Sequence, residues 1–121
     1  MQERNGATIR NIVEVLWETP PAHYDANSKM LVTPETARTT HFDHRISSYQ
    51  PKGYVAPHRH KVQEQIYHVL DGEGLMELDG ERYVVRPHDV IHIPPGVEHA
   101  IYNSGLHNLV FLVITSPPND A

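Results

Sequence analysis

The sequence contains no cysteine, and this absence removes several classes of function. Neither a disulfide framework nor a thiolate metal site can form, and a cysteine nucleophile is excluded. Basic residues are in the minority, because ten Lys and Arg stand against fifteen Asp and Glu and give a formal net charge of −5. This balance argues against a nucleic-acid partner, and no DNA-reading helix is predicted.

Long apolar runs are also missing. No stretch approaches the length of a membrane span, and the start, Met-Gln-Glu-Arg-Asn-Gly, lacks the apolar core of a signal peptide. We therefore expect a cytoplasmic protein without a membrane partner. A chain of 121 residues is expected to form one domain, here with loose termini at residues 1–7 and 116–121. Histidine is abundant, with ten residues, which indicates metal binding or acid–base chemistry.

Helical periodicity is absent as well, since no long window keeps a 3.6-residue period. Short runs of strand character alternate instead with Gly and Pro turns, which predicts an all-β sandwich or small barrel. A strand is predicted over residues 8–17, a long polar connection over 18–38, and a strand over 39–49 that ends in a turn at Pro51 and Gly53. So long a connection is usually functional or packed over an opening.

Two histidines after that turn form the first candidate site. His58 and His60 are two residues apart in an extended segment, so both rings point to the same face. The next strand begins with Glu64 and Gln65, and either side chain can supply an oxygen donor. Two imidazoles and an oxygen on one face predict a metal site. The alternative is a pair of surface histidines without a ligand role.

Two stretches of the sequence together resemble the cupin superfamily. The first cupin motif is Gly-x5-His-x-His-x3or4-Glu-x6-Gly, and the residues that match it, with one residue fewer after the first glycine, are Gly53, His58, His60 and Gly72. The second motif is Gly-x5-Pro-x-Gly-x2-His-x3-Asn, and the residues that match it, with His88 in place of the first glycine, are Pro94, Gly96, His99 and Asn103. The two motifs and the strands between them cover about half of the chain.

The resemblance implies a double-stranded β-helix, or jelly-roll barrel, with one divalent transition metal per chain. The ligands that it implies are His58, His60, a residue at 64 or 65, and His99. The ion would be Fe, Mn, Ni, Zn or Cu, all of which accept such donors. The resemblance also implies a homodimer, with residues 8–17 as the strand that contacts the partner.

The fourth ligand is not decided by the motif. Counting forward from His60 permits Glu64 or Gln65, whereas counting back from Gly72 gives Gln65. A strand that leads into a turn keeps its register better than a loop, so we favour Gln65 and retain Glu64 as the alternative. In this register Tyr67 also faces the cavity, where it would either contact a substrate or only pack.

His44 is a second candidate for a role beside the metal. It shares a strand face with Phe42 and Ile46, and it would look into the cavity as an acid–base group or lie in the core as a satisfied histidine.

Three neutral imidazoles and a neutral amide would leave the ion its full charge, which makes a strong Lewis acid. The resemblance to small cupins that ketonise unsaturated uronates implies an isomerase or lyase acting on a small oxygenated substrate. One alternative is a cupin dioxygenase that cleaves an enol, diketone or catechol-like substrate. Another is a cupin that binds a metal or a ligand without catalysis.

Overall fold

A computed structural model describes residues 2–119, and strands dominate it. The ten strands are, in chain order, β1 (Gln2–Arg4), β2 (Ala7–Ile9), β3 (His23–Val32), β4 (Asp43–His58), β5 (Glu64–Asp71), β6 (Gly74–Leu78), β7 (Glu81–Val85), β8 (Val90–Ile93), β9 (His99–Tyr102) and β10 (Leu109–Ser116). Two short helical turns interrupt them, a 3-10 helix at Ile12–Glu14 and α1 at Pro34–Ala37. The all-β prediction is confirmed. Over residues 2–119, no helix has both the length and the apolar character that a membrane crossing requires.

Eight of the strands form one curled antiparallel sheet. Its order is β7-β6-β9-β4-β10-β5-β8, and β3 pairs with β4 off this path. β1 and β2 pair separately as an antiparallel hairpin. β4 pairs with β3, β9 and β10, so it connects the two halves of the sheet.

β4 changes partner at the place where a turn was predicted. Residues 43–49 pair with β10, whereas residues 54–58 pair with β9. Between these halves Lys52 has a φ of 78°, and a Cβ on Gly53 would overlap the carbonyl oxygen of Asp25. The predicted turn at Pro51 and Gly53 is therefore wrong: the chain bends there within one strand and passes from one half of the sheet to the other.

The polar connection predicted over residues 18–38 is wrong for most of its length, because it contains β3 and α1. The sequence does not predict β3 because the inner face of this strand is partly polar. Ser28 is 1% exposed, and its hydroxyl forms a 2.8 Å hydrogen bond with the hydroxyl of Ser47 on β4. α1 is one turn long and is held by a capping box between Thr33 and Thr36, too short to show a helical period.

The strand predicted over residues 8–17 is also wrong beyond Ile9. The Asn11 side chain accepts a 2.9 Å hydrogen bond from the backbone N–H of Val13, which caps the 3-10 turn and ends the extended conformation. The termini predicted to be loose are partly strand, because β1 lies within residues 1–7 and Ser116 is the last residue of β10. Residues 1, 120 and 121 of the expected loose ends lie outside the described part of the chain.

The core lies inside the curl of the sheet. Its fully buried large side chains include Tyr49, Met76, Ile93, Ile101, Leu109 and Phe111. On β5 the inner residues Gln65, Tyr67 and Val69 are buried and alternate with outward residues, so the predicted register of this strand is confirmed.

Candidate metal centre

Three histidines, from the end of β4, the loop after it and the start of β9, meet at one end of the barrel. His58 ends β4, and its Cα is paired with that of His99 at the start of β9. His60 follows two residues later, where its carbonyl oxygen accepts a 2.8 Å hydrogen bond from Gly96 N. One ring nitrogen from each of the three lies within 4.8 Å of the others. Two nitrogens that bind one ion at about 2.1 Å lie at most about 4.2 Å apart, so small side-chain adjustments bring all three within reach of one ion.

Backbone carbonyls fix the orientation of two of these rings. His58 Nδ1 lies 2.8 Å from the Ala56 oxygen, and His99 Nδ1 lies 3.0 Å from the Val97 oxygen. A carbonyl oxygen only accepts, so each Nδ1 carries the proton and donates it. In the neutral ring Nε2 then holds the lone pair, which is the arrangement usual for metal-binding histidines.

Gln65 supplies an oxygen at the same place. Its Oε1 lies 2.9 Å from His99 Nε2, and its Nε2 donates a 3.0 Å hydrogen bond to Thr115 Oγ1. Gln65 and Thr115 are paired residues on β5 and β10, and they are 9% and 4% exposed. The pairing of the strands therefore places a buried threonine where it turns the amide oxygen toward the histidines.

The contact between His99 and Gln65 tests whether the site fits a cation. Burial lowers the pKa of His99 to about 4, with the Val97 carbonyl opposing the shift and the charges of His58 and His60 adding to it. The neutral ring has one N–H group, which lies at Nδ1 and donates its hydrogen bond to the Val97 oxygen. The lone pair of Nε2 then faces the lone pairs of Gln65 Oε1, and a bound cation would satisfy both. The donor set therefore fits a divalent transition metal, and three histidines can hold one here.

Glu64, the alternative fourth ligand, lies on the other face of β5. Its Oε1 is 2.9 Å from Nε2 of His92 on the neighbouring strand β8, and both side chains are 57% exposed. The structure thus brings Gln65, and not Glu64, to the three histidines.

A cavity of about 350 Å³ opens next to the histidines, inside the barrel. Its apolar lining includes Val55, Phe111 and Val113. Hydroxyl groups are supplied by residues on β3, β4 and β10, namely Ser28, Ser47, Tyr49 and Thr115. Its size suits a single sugar or a similarly small organic molecule.

Tyr67 lines this cavity, as the register predicted. Its ring stacks on Phe111 at 5.3 Å and meets the His99 ring edge-on at 6.1 Å, so the side chain both packs and faces the site. Burial raises the pKa of the Tyr67 phenol well above its ordinary value. The hydroxyl therefore stays protonated and can donate a hydrogen bond.

His44 is not brought to the cavity. In the first half of β4, over residues 43–49, the residues that line it are Arg45, Ser47 and Tyr49, so the even-numbered His44 lies on the opposite face of the strand there. Burial lowers the pKa of His44, and the charge of Asp43 partly opposes this shift.

His23, which the sequence did not single out, does line the cavity. Its Nδ1 donates a 2.8 Å hydrogen bond to the Pro21 oxygen, and its ring meets Tyr49 edge-on at 5.9 Å. Burial lowers the pKa of His23, as do the charges of His58 and Arg45. The length of the 18–38 segment was the available sign, since such a segment is expected over an opening. Its cavity-lining residues are Pro20, Pro21, Ala22 (φ 59°), His23 and Ser28.

Arg45 is the second cavity residue that the sequence did not single out. Its guanidinium is bonded to the buried Asp43 through Nε at 3.1 Å and Nη2 at 2.9 Å. The sequence favours the strand face with Phe42 and Ile46 as the inner one, because apolar residues normally mark the inside. Here the inner face is the polar one.

Comparison with known proteins identifies relatives of this chain. A family model described as "Cupin domain" matches residues 45–115, which include all four residues of the centre. Beta-D-galactosidase Rv1717 of Mycobacterium tuberculosis is 32% identical over 98 residues, covering 81% of this chain and 84% of that protein. Uncharacterized protein MJ1618 of Methanocaldococcus jannaschii is 44% identical over 61 residues, which are 50% of this chain and 49% of that protein. The chain thus matches about half the length of MJ1618.

Solved structures show the same architecture. A predicted oxalate decarboxylase from Thermotoga maritima superimposes with a TM-score of 0.82 at 22% identity, covering 90% of this chain and 98% of that chain. The curled sheet is accordingly a double-stranded β-helix, as the sequence motifs implied.

Proposed function

This chain belongs to the cupin family, and from that premise we propose that it binds one divalent transition metal and acts on a small oxygenated substrate of the uronate type. The proposed ligands are His58, His60, His99 and Gln65. The observation that carries the proposal is the uncharged donor set, in which an amide oxygen lies 2.9 Å from His99 Nε2. Such a set leaves the ion its full positive charge, which favours isomerisation or ketonisation by Lewis-acid catalysis.

The ion would polarise a carbonyl or carboxylate oxygen of the substrate. His23 is the proposed proton acceptor, because its Nδ1 is bound to Pro21 and its Nε2 therefore has the lone pair. The lowered pKa of His23 keeps the ring neutral near pH 7, as a general base requires. Tyr67, which stays protonated, would orient the substrate by donating a hydrogen bond.

The relatives support a small substrate in general terms. Rv1717 is named a β-D-galactosidase, which acts on a sugar, and the Thermotoga protein is described as a predicted oxalate decarboxylase, which acts on a small carboxylate. A uronate combines a sugar ring with a carboxylate.

Metal content is the first test. Protein purified without added metal should contain one ion per chain by elemental analysis, and a His58→Ala/His60→Ala variant should contain none. The loaded protein should then change the ultraviolet absorbance of unsaturated uronates. A wild type that takes up no ion, from the preparation or on addition of Mn²⁺, Fe²⁺, Ni²⁺ or Zn²⁺, would contradict the proposal.

A dioxygenase is the second candidate. The apolar lining residues Val55, Phe111 and Val113 favour it, since such a lining suits a diketone or an aromatic ring. Oxygen uptake with a panel of β-diketones and catechols would identify this activity. Uptake of metal without turnover in either assay would favour a cupin that binds its ligand without catalysis.

We also propose that the protein forms a homodimer. Val13 and Leu16 are each 84% exposed, and a second copy that covered them would remove this apolar surface from water. Light scattering should give the mass of two chains, and a Val13→Asp/Leu16→Asp variant should give the mass of one. A monomeric wild type would refute this part of the proposal.

A further inference from the structure

We propose that Arg45 is an anion-binding residue, which holds a carboxylate of the substrate at the side of the cavity away from the three histidines. This inference rests on the proposed function, because the end of the substrate opposite the carboxylate is taken to bind the metal. It assigns the cavity a second binding point and a substrate that carries one negative charge.

The position of Arg45 follows from the strand register. Arg45 on β4 is paired with Val113 on β10, and Val113 is paired with Tyr67 on β5. Neighbouring strands lie about 4.8 Å apart, so Arg45 and Tyr67 lie side by side on the same inner surface, roughly 10 Å apart. Gln65 lies two residues before Tyr67 on the same face of β5. A molecule the size of one sugar ring can therefore contact Arg45 and the histidine end together.

Asp43 orients the guanidinium without using all of its donors. Arginine has five N–H donors, and the carboxylate of Asp43 accepts one bond from Nε and one from Nη2. Asp43 is 6% exposed, whereas the Arg45 side chain is 29% exposed. The buried carboxylate thus acts as a fixed support. Arg45 borders the cavity on one side and, with Asp43, a second pocket on the other, and we infer that its remaining N–H groups serve an acceptor in the cavity.

The charges of the cavity wall favour an anion. Among the described residues that line it, none is Asp or Glu, and Arg45 is the one Lys or Arg. Asp43 balances the charge of Arg45, so the excess positive charge in this partly desolvated space would come from an ion at the uncharged donor set, and it would favour an anion.

One guanidinium matches one carboxylate. The two planar groups can form parallel hydrogen bonds through N–H groups that Asp43 does not use. The predicted ligand therefore has a metal-binding oxygen at one end and a carboxylate at the other.

A matched pair of ligands tests this directly. D-Galacturonate and D-galactose have the same ring and differ in a carboxylate. We would measure the affinity of both for the Mn²⁺-treated wild type and for Arg45→Gln by titration calorimetry. The wild type should prefer the acid, and Arg45→Gln should weaken binding of the acid by roughly 10- to 100-fold, with little change for the neutral sugar.

Three further variants separate recognition from folding and from net charge. Arg86→Gln removes an equal charge from an exposed pair with Glu73 outside the cavity and should behave as wild type. Arg45→Lys should retain part of the preference. Asp43→Asn/Arg45→Gln leaves no unpaired buried carboxylate, so it should keep a wild-type melting temperature and still lose the preference.

Metal content, measured on the same samples, separates this inference from the proposed function. Loss of the acid preference in Arg45→Gln in a protein without metal would support the anion site and refute the metal centre. A metal-loaded wild type that binds both sugars equally, or binds neither, would overturn the inference, as would an unchanged acid preference in Arg45→Gln.

Discussion

Replacing Gln65 by alanine should weaken metal binding, whereas replacing its neighbour Glu64 should not. Gln65 places an oxygen 2.9 Å from His99 Nε2, and the variant would remove one of four donors. Removing a residue that only hydrogen-bonds to a metal ligand lowers metal affinity about 10- to 100-fold, which is about 1.4 to 2.7 kcal/mol. Since Gln65 would be a ligand itself, we expect Gln65→Ala to lower the affinity by at least this factor. Glu64→Ala would remove only an exposed pair with His92, which contributes at most about 1 kcal/mol to stability.

Competition with a chromophoric chelator at fixed pH would measure both affinities. Gln65→Glu is a useful companion, because it keeps an oxygen in place and adds a negative charge. It should bind the ion more tightly than the wild type and catalyse more slowly, since the ion would then polarise the substrate less. If Glu64→Ala weakened metal binding as much as Gln65→Ala, the assignment of Gln65 as a ligand would be refuted.

Two other predictions concern the surroundings of the centre. Thr115→Val removes the oxygen that accepts a bond from Gln65 Nε2, so the amide can turn and metal affinity should fall about tenfold in the same competition assay; an unchanged affinity would contradict the orienting role. In the metal-free protein the pKa of His99 is about 4, whereas in the unfolded chain it is about 6.5. Between these pH values the unfolded chain therefore binds more protons than the folded protein. Stability from this residue is complete above pH 6.5 and is lost as the pH falls toward 4, by about 3 kcal/mol. Urea unfolding at both ends of this range should show the loss, and His99→Gln should reduce it; equal pH dependence of the two proteins would contradict the reasoning.

The sequence predicts β5 well because this strand is buried on one face only. Its period of two is visible in the residues, and Gly72 fixes the phase: φ is 80° there, and a Cβ would overlap the carbonyl oxygen of Asn108. The side on which Gln65 lies could therefore be derived without coordinates.

β3 could not be predicted in the same way. Backbone hydrogen bonds to β4 hold it, and these do not depend on the side chains. Its buried hydroxyl, Ser28, is satisfied by Ser47, nineteen residues away, and this partner is unknown until the strands are paired. His23 could not be predicted for the same reason, since its place in the cavity depends on the pairing of β3 with β4. Arg45 could not be predicted because the inner face of β4 is polar there.

Pro20, Pro21 and Ala22 line the cavity as a stiff rim, and this rim affects how fast ligands enter. Proline has little torsional freedom, so this rim loses little entropy when it is held in place, and it need not be ordered by an arriving molecule. Association should then follow a single step whose rate rises in proportion to ligand concentration, without the plateau that a closing lid would impose. The opening should also discriminate by size, because a bulkier molecule meets a rim that does not yield.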